Sequence, residues 1–197
     1  MKVTIFQDIY KKNNSDAHVI QLSTALKRIK EGNSQTVIEA IRDGSKDFKK
    51  KLPVVLFSGE FKARNDEALE KHSQFIVLDF DHINVEASKA VLSTDPYVYS
   101  CWVSPSGDGL KALVKITNPE RHRDHFRALR TYFEKQYTLE VDESGINESR
   151  ACFESWDPDI IINEQSKPFG AFATEKSESQ VAVSQSGSYT DYLKLNL

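Results

Sequence analysis

Two apolar runs, Tyr97-Val-Tyr-Ser-Cys-Trp-Val103 and Leu110-Lys-Ala-Leu-Val-Lys-Ile116, flank the polar connection Ser104-Pro-Ser-Gly-Asp-Gly109. Both runs have strand length and β-branched or aromatic content, and the connection holds the Pro and Gly residues that mark a turn. The pair predicts an antiparallel hairpin. Upstream, Phe75-Ile-Val-Leu-Asp-Phe-Asp81 predicts a buried strand. Side chains alternate across a strand, so Asp79 and Asp81 leave the same face one step apart. Two like charges at the end of such an apolar strand repel each other and resist desolvation unless a cation sits between them. Oxygen ligands suit a hard ion such as Mg2+ or Mn2+. The plainer alternative is a strand that stops at Phe80, with Asp81 and His82 opening a loop.

Further out, the pattern alternates less regularly. Lys2–Phe6 reads as a strand, and residues 11–16 as polar loop. Ile20–Glu31 carries apolar residues at helical spacing and stops at Gly32; Ser34 can cap a second helix that ends before Gly44. Residues 46–51 form a basic run, read as a solvated helix face. Val54–Phe57 predicts a strand, and the chain after Phe61 a helix to His72. Helices are expected over Val85–Leu92 and Arg121–Tyr137, and short strands at Leu139–Val141 and Ile160–Ile162. The result is an α+β domain with a largely antiparallel sheet and flanking helices. It is expected to occupy residues 1–163, with a helical N-terminal part over 1–52 and a motif-bearing core over 53–163. Residues 164–197, rich in Ser, Glu, Gln and Lys, predict a polar linker and the start of a further element.

The 197 residues suffice for one domain with a sizeable core plus a tail. Lys and Arg number 26 against 29 Asp and Glu, a net charge of -3, which excludes the global basic field of an obvious nucleic-acid binder. Nucleic-acid contact has to come from a local patch. Cys101 and Cys152 lack metal-ligand spacing and read as small core residues of a reduced, cytoplasmic protein. The N-terminus has no signal-peptide pattern, and no apolar run reaches membrane-spanning length, so no membrane partner is expected.

Three features carry chemistry: the Asp79/Asp81 pair, the loop Ser104–Lys111, and Val141-Asp142-Glu143-Ser144 followed by Ser149-Arg150. Small residues in the loop let backbone amides approach an anion, and Lys111 can set a point charge on a phosphate. Asp142 follows a short apolar stretch and can join the first two carboxylates, with Glu143 and Asp157 as alternatives. Each feature also has an ordinary structural reading: a plain hairpin turn, a capped turn at Asp142, a structural ion pair for Arg150. Arg121, Arg123, Arg127 and Arg130 read first as a solvated helix face, with a track for a template backbone as the alternative; Lys62 and Arg64 read first as ordinary surface salt bridges, with added phosphate contacts as the alternative. The histidines show no metal-ligand pairing, with His82 a neighbour of Asp81.

The order of hydrophobic-DxD, SGxGxK on a hairpin, then hydrophobic-D with a downstream SR resembles the archaeo-eukaryotic primase, or prim-pol, superfamily. It is most similar to the N-terminal domain of virulence-associated protein E-type primase–helicases of bacterial mobile elements, over roughly residues 54–163. The resemblance implies a primase-like (RRM-like) core and a DNA primase or primase-polymerase activity in replication. It implies metal binding and catalysis by Asp79, Asp81 and Asp142 with Mg2+ or Mn2+, and nucleotide binding by Ser106, Gly107, Gly109, Lys111 and Arg150. The implied partners are a single-stranded DNA template, nucleoside triphosphates and a C-terminal P-loop helicase domain. Lys111 stands where many members carry a histidine, so it keeps the charge but not the titration near neutral pH. That departure motivates two alternatives: a non-catalytic binding module that positions a helicase, and a two-metal nuclease.

Overall fold

The computed structural model describes residues 1–173 of the chain. Two four-stranded antiparallel sheets and a two-stranded hairpin pack with four helices, an α+β architecture. The first sheet contains β1 (Lys2–Phe6), β2 (His18–Gln21), β3 (Val54–Leu56) and β9 (Cys152–Phe153) in the order β2-β1-β3-β9. The small hairpin is β4 (Gly59–Phe61) with β5 (Leu69–His72). The second sheet contains β6 (Phe75–Phe80), β7 (Val98–Val103), β8 (Leu110–Lys115) and β10 (Ile161–Ile162) in the order β10-β7-β8-β6. The helices are α1 (Leu22–Glu31), α2 (Gln35–Arg42), α3 (Val85–Thr94) and α4 (His122–Tyr137).

The second sheet is covered on both faces, which explains why its strands are so continuously apolar. On one face Ile76, Leu78, Phe80, Cys101, Ala112 and Val114 pack with Leu92 of α3 and Phe126, Leu129 and Phe133 of α4. On the other, Phe75, Val77, Trp102 and Leu113 pack with Val3 and Val55 of the first sheet and with Leu26 and Ile29 of α1. The period-two rule then fixes the direction of Asp79. Asp79 continues the Phe75/Val77 face and emerges toward the first sheet, away from α3 and α4; the strand stops at Phe80, as the plainer reading has it, and Asp81 follows just past its end with its carboxylate still beside that of Asp79.

The expected hairpin forms, with Trp102 opposite Lys111 and Val103 opposite Leu110. Several other expectations are corrected. The segment after Phe61 is no helix: a turn at Asp66–Ala68 and a strand fold it back against β4, and Phe61 is buried. The N-terminal region is not purely helical, because His18–Gln21 pairs with Lys2–Ile5 before α1 begins. Ser34 precedes α2, yet its hydroxyl donates to buried Glu154 instead of capping the helix. Leu139–Val141 lies outside any strand, since only the Asp142 amide reaches the neighbouring edge, donating to the Asp79 carbonyl at 2.9 Å. Of the expected linker, residues 164–173 pack on the domain: Phe169 is buried and its amide donates to Lys115. The remaining linker residues lie outside the described ones. Among the described residues no helix is long and apolar enough to cross a membrane.

Candidate metal and nucleotide site

The open ends of β6 and β8 and the turn after α4 meet at one cleft. Asp79 lies opposite Lys111 in the β6–β8 register, and the ammonium of Lys111 donates to Asp79 Oδ2. Asp142 is carried to the same place by its amide bond to the Asp79 carbonyl. Asp79, Asp81 and Asp142 each present a carboxylate oxygen such that all three lie within 4.8 Å of one another. Glu143 is drawn off to Arg130 at 2.5 Å. Asp157 is buried elsewhere, bonded to Lys89 at 2.6 Å and to the Val103 amide at 2.8 Å. Of the three acidic candidates for the third position, Asp142 is therefore the one at the cluster.

The cleft holds about 390 Å3, and Ile9, Lys49, Arg64, Ser104, Arg150 and Phe153 line it together with the carboxylates and Lys111. A depression of about 400 Å3 beside Met1, Gln21 and Ser73 is as large but lacks the carboxylate cluster. The lining, not the volume, identifies the candidate site.

The electrostatics are those of crowded like charges with local counter-ions. Desolvation, and then the neighbouring Asp79 charge, raise the Asp81 carboxyl above the ordinary range. Asp142 goes the other way: desolvation pushes it up, but the Ser144 hydroxyl (2.5 Å) and amide (3.0 Å), with Arg150 nearby, outweigh that and hold it low. Arg150 reaches Asp142 Oδ2 at 3.0 Å. Burial by itself lowers the Lys111 ammonium, while Cys152, Asp79 and Asp81 raise it, and the net direction is up. The Cys152 thiol is itself pushed by burial to about 11 and is uncharged at neutral pH. The carboxylates are what keep Lys111 protonated.

The donor set fits a hard divalent cation. It is all oxygen, it converges, and Asp79 Oδ1 is buried without a hydrogen-bond partner among the described residues. Lys111 supplies a partial counter-charge from the protein itself.

The glycine loop sits differently. Gly107 adopts φ +84°, and Gly109 is pressed so close to β6 that a Cβ there would lie 2.4 Å from the Phe80 carbonyl oxygen. The Ser106 hydroxyl donates to Asp108 at 2.5 Å, and the Gly107 amide to the Ser104 carbonyl at 3.0 Å. Arg42 braces the loop from behind through the Ser104 and Trp156 carbonyls. Ser106, Gly107 and Gly109 therefore shape the turn that positions Lys111, but they are not in the cleft wall. His82 turns to Asp108 at 3.1 Å.

Arg121, just before α4, and the arginines of α4 pair with acids: Arg121 and Arg127 with Asp124, Arg123 with Asp66 and Glu148, Arg130 with Glu143. Lys62 pairs with Glu70 at 2.6 Å. Arg64 is different: it faces the cleft. Sequence reasoning offered Arg64 as a phosphate contact but ranked a surface salt bridge ahead of it, and it passed over Lys49, because a single cation in a loop looks like any surface charge. Only the pairing of β4 with β5 and the fold of residues 46–51 bring the two to the carboxylates.

No curated protein matches the chain, and no solved structure does. The family model described as BT4734-like, N-terminal domain, matches residues 47–161, a span that contains the carboxylates, Lys111, Lys49, Arg64 and Arg150. That span is more than half of the sequence, and the chain belongs to the BT4734-like N-terminal domain family.

Proposed function

We propose that this domain is a metal-dependent nucleotidyltransferase of the primase-polymerase type, the N-terminal part of a larger primase–helicase. The reading rests on one observation above others: Asp79, Asp81 and Asp142 converge in a cleft that also presents cationic side chains. A run of β6, α3, β7, β8 and α4 with both helices on one sheet face is compatible with the primase-like core. A nuclease shares such carboxylates, but the cations beside them suit a substrate with several phosphates.

Asp79, Asp81 and Asp142 would hold Mg2+ or Mn2+, and the bound ions would stabilise charge on the reacting phosphate and the departing pyrophosphate. The chain's own residues set up that site. Lys111 donates to Asp79 and fixes its rotamer. Arg150 and Ser144 orient Asp142. A single-stranded DNA template and nucleoside triphosphates are the proposed substrates.

The test is incorporation of labelled nucleotide on a single-stranded DNA template, with Mg2+ and then Mn2+. We expect product from the wild type and none from Asp79→Ala/Asp81→Ala. Equal product from both proteins would end this reading. A specific contact favours the second reading, a non-catalytic nucleotide-binding module: the Lys111 ammonium already neutralises Asp79. Its signature is metal-dependent nucleotide binding without incorporation.

A further inference from the structure

The residues that the primase resemblance assigns to the triphosphate are committed elsewhere. Lys111 is bound to Asp79, the Ser106 hydroxyl to Asp108, and Gly109 lies under the Phe80 carbonyl. Arg150 is bound to Asp142. The cleft has two further cations, and neither is paired with a carboxylate among the described residues. Arg64 gives one guanidinium nitrogen to the Ile9 carbonyl at 2.8 Å, while its Nε is buried with no partner. A buried N–H without an acceptor costs free energy, and a guanidinium fork matches phosphate oxygens. Lys49 lines the same cleft, with its ammonium 5.6 Å from the Phe153 ring centroid.

The backbone holds this wall in place. The Arg64 amide donates to Lys12 at 3.0 Å, which ties the β4–β5 hairpin to the loop after β1. Lys49 comes from the turn at residues 46–51, which packs on α2.

We infer that Lys49 and Arg64 form the polyphosphate-binding wall of this cleft, facing the carboxylates, and that the Ser106–Gly109 loop is a brace for Lys111 and not the phosphate cradle. The ligand class is a chain of linked phosphates, as in a nucleoside triphosphate. This rests on the proposed function for its substrate class, but its residues are distinct from the metal ligands.

Inorganic tripolyphosphate, titrated calorimetrically into the 197-residue protein without divalent cation, tests it. The wild type is expected to bind, and Lys49→Gln/Arg64→Gln to bind at least tenfold more weakly at an unchanged melting temperature. Arg64→Lys should recover part of the affinity by restoring charge without the fork. Ser106→Ala should bind as the wild type does. Asp79→Ala/Asp81→Ala should bind at least as tightly, because two opposing charges are gone. Absence of wild-type binding, equal binding by the double glutamine variant, or loss of binding in Ser106→Ala overturns the inference. Tripolyphosphate binding that needs Arg64, in a protein that incorporates no nucleotide, would retain the wall and discard the nucleotidyltransferase. Incorporation that survives both glutamines with full affinity would do the reverse.

Discussion

Asp81 is the most exposed of the three carboxylates, yet its proton is held more tightly than in an ordinary aspartate. Desolvation and the Asp79 charge cause this, so the ionised form is the disfavoured one in the folded chain. A group whose folded pKa is raised contributes stability at low pH and loses it as pH rises through that pKa. At neutral pH without metal, Asp81 is therefore a source of repulsion. Asp81→Asn is expected to melt no lower than the wild type in EDTA, and to lose most of the upward shift that Mn2+ gives the wild type. Paired thermal melts with EDTA and Mn2+ read both effects; a variant that melts lower in EDTA and still responds fully to Mn2+ would contradict this account. The doublet was legible in the sequence because period-two alternation is a local rule. Arg64 was legible only as the second choice beside a surface salt bridge, because what sets it apart from Lys62 is a missing partner, and a missing partner becomes visible only when everything around it is placed.

Elements locate these side chains through a few buried polar ties. Lys89 of α3 reaches across to Asp157, which also accepts from the Val103 amide at the end of β7. Asp157 is 5% exposed at its side chain. Lys89→Met would leave that carboxylate buried and unpaired, a loss of about 3–5 kcal/mol. Urea unfolding of the variant measures it; a cost below 1 kcal/mol would mean that the backbone donors alone satisfy Asp157. A comparable tie joins Glu154, after β9, to Arg28 of α1 and to Ser34. These ties explain where sequence reading failed at this scale. Ser34 looked like a helix cap because Ser commonly is one, but a buried carboxylate 120 residues away competes for its hydroxyl. The chain after Phe61 looked helical because its polar residues fit a helix as well as a turn, and burial of Phe61 against the first sheet decided for the strand. The long amphipathic α4 and the β7–β8 hairpin were legible because their periods are local and strong.

Across the whole molecule, acid should act first through a histidine pair, not through the cleft. His72 at the end of β5 meets His122 at the start of α4, with Nε2 and Nδ1 2.9 Å apart. Burial pushes His72 down to about 4, and burial together with the His72 neighbour pushes His122 to about 3. An unfolded histidine takes its proton near 6.5, so between about 6.5 and 4 the unfolded chain binds protons that the folded pair refuses. Stability is full above that window and declines as pH falls through it, on the order of 1 kcal/mol per pH unit for each histidine. Urea unfolding at pH 7.5, 6 and 5 should show the decline, and His122→Gln should flatten it. An unchanged slope in the variant would place the acid sensitivity elsewhere. Asp66 and Asp142, both held below the ordinary carboxyl range, lose their contributions only in more acid solution.

One arrangement links the site to the solubility of the protein. In the order β10-β7-β8-β6, the strand that bears Asp79 is an outer strand, hydrogen-bonded to β8 on one side only. Its free side is met by the segment that carries Asp142, whose amide donates to the Asp79 carbonyl. The third carboxylate thus arrives on the same piece of chain that blocks the edge. If that piece lifts away, the acidic cluster comes apart and Phe75-Ile-Val-Leu, with high β-propensity and no charge, becomes a template for another chain. Loss of the site and the onset of aggregation would then be one event, and residue 142 would guard the protein against its own copies.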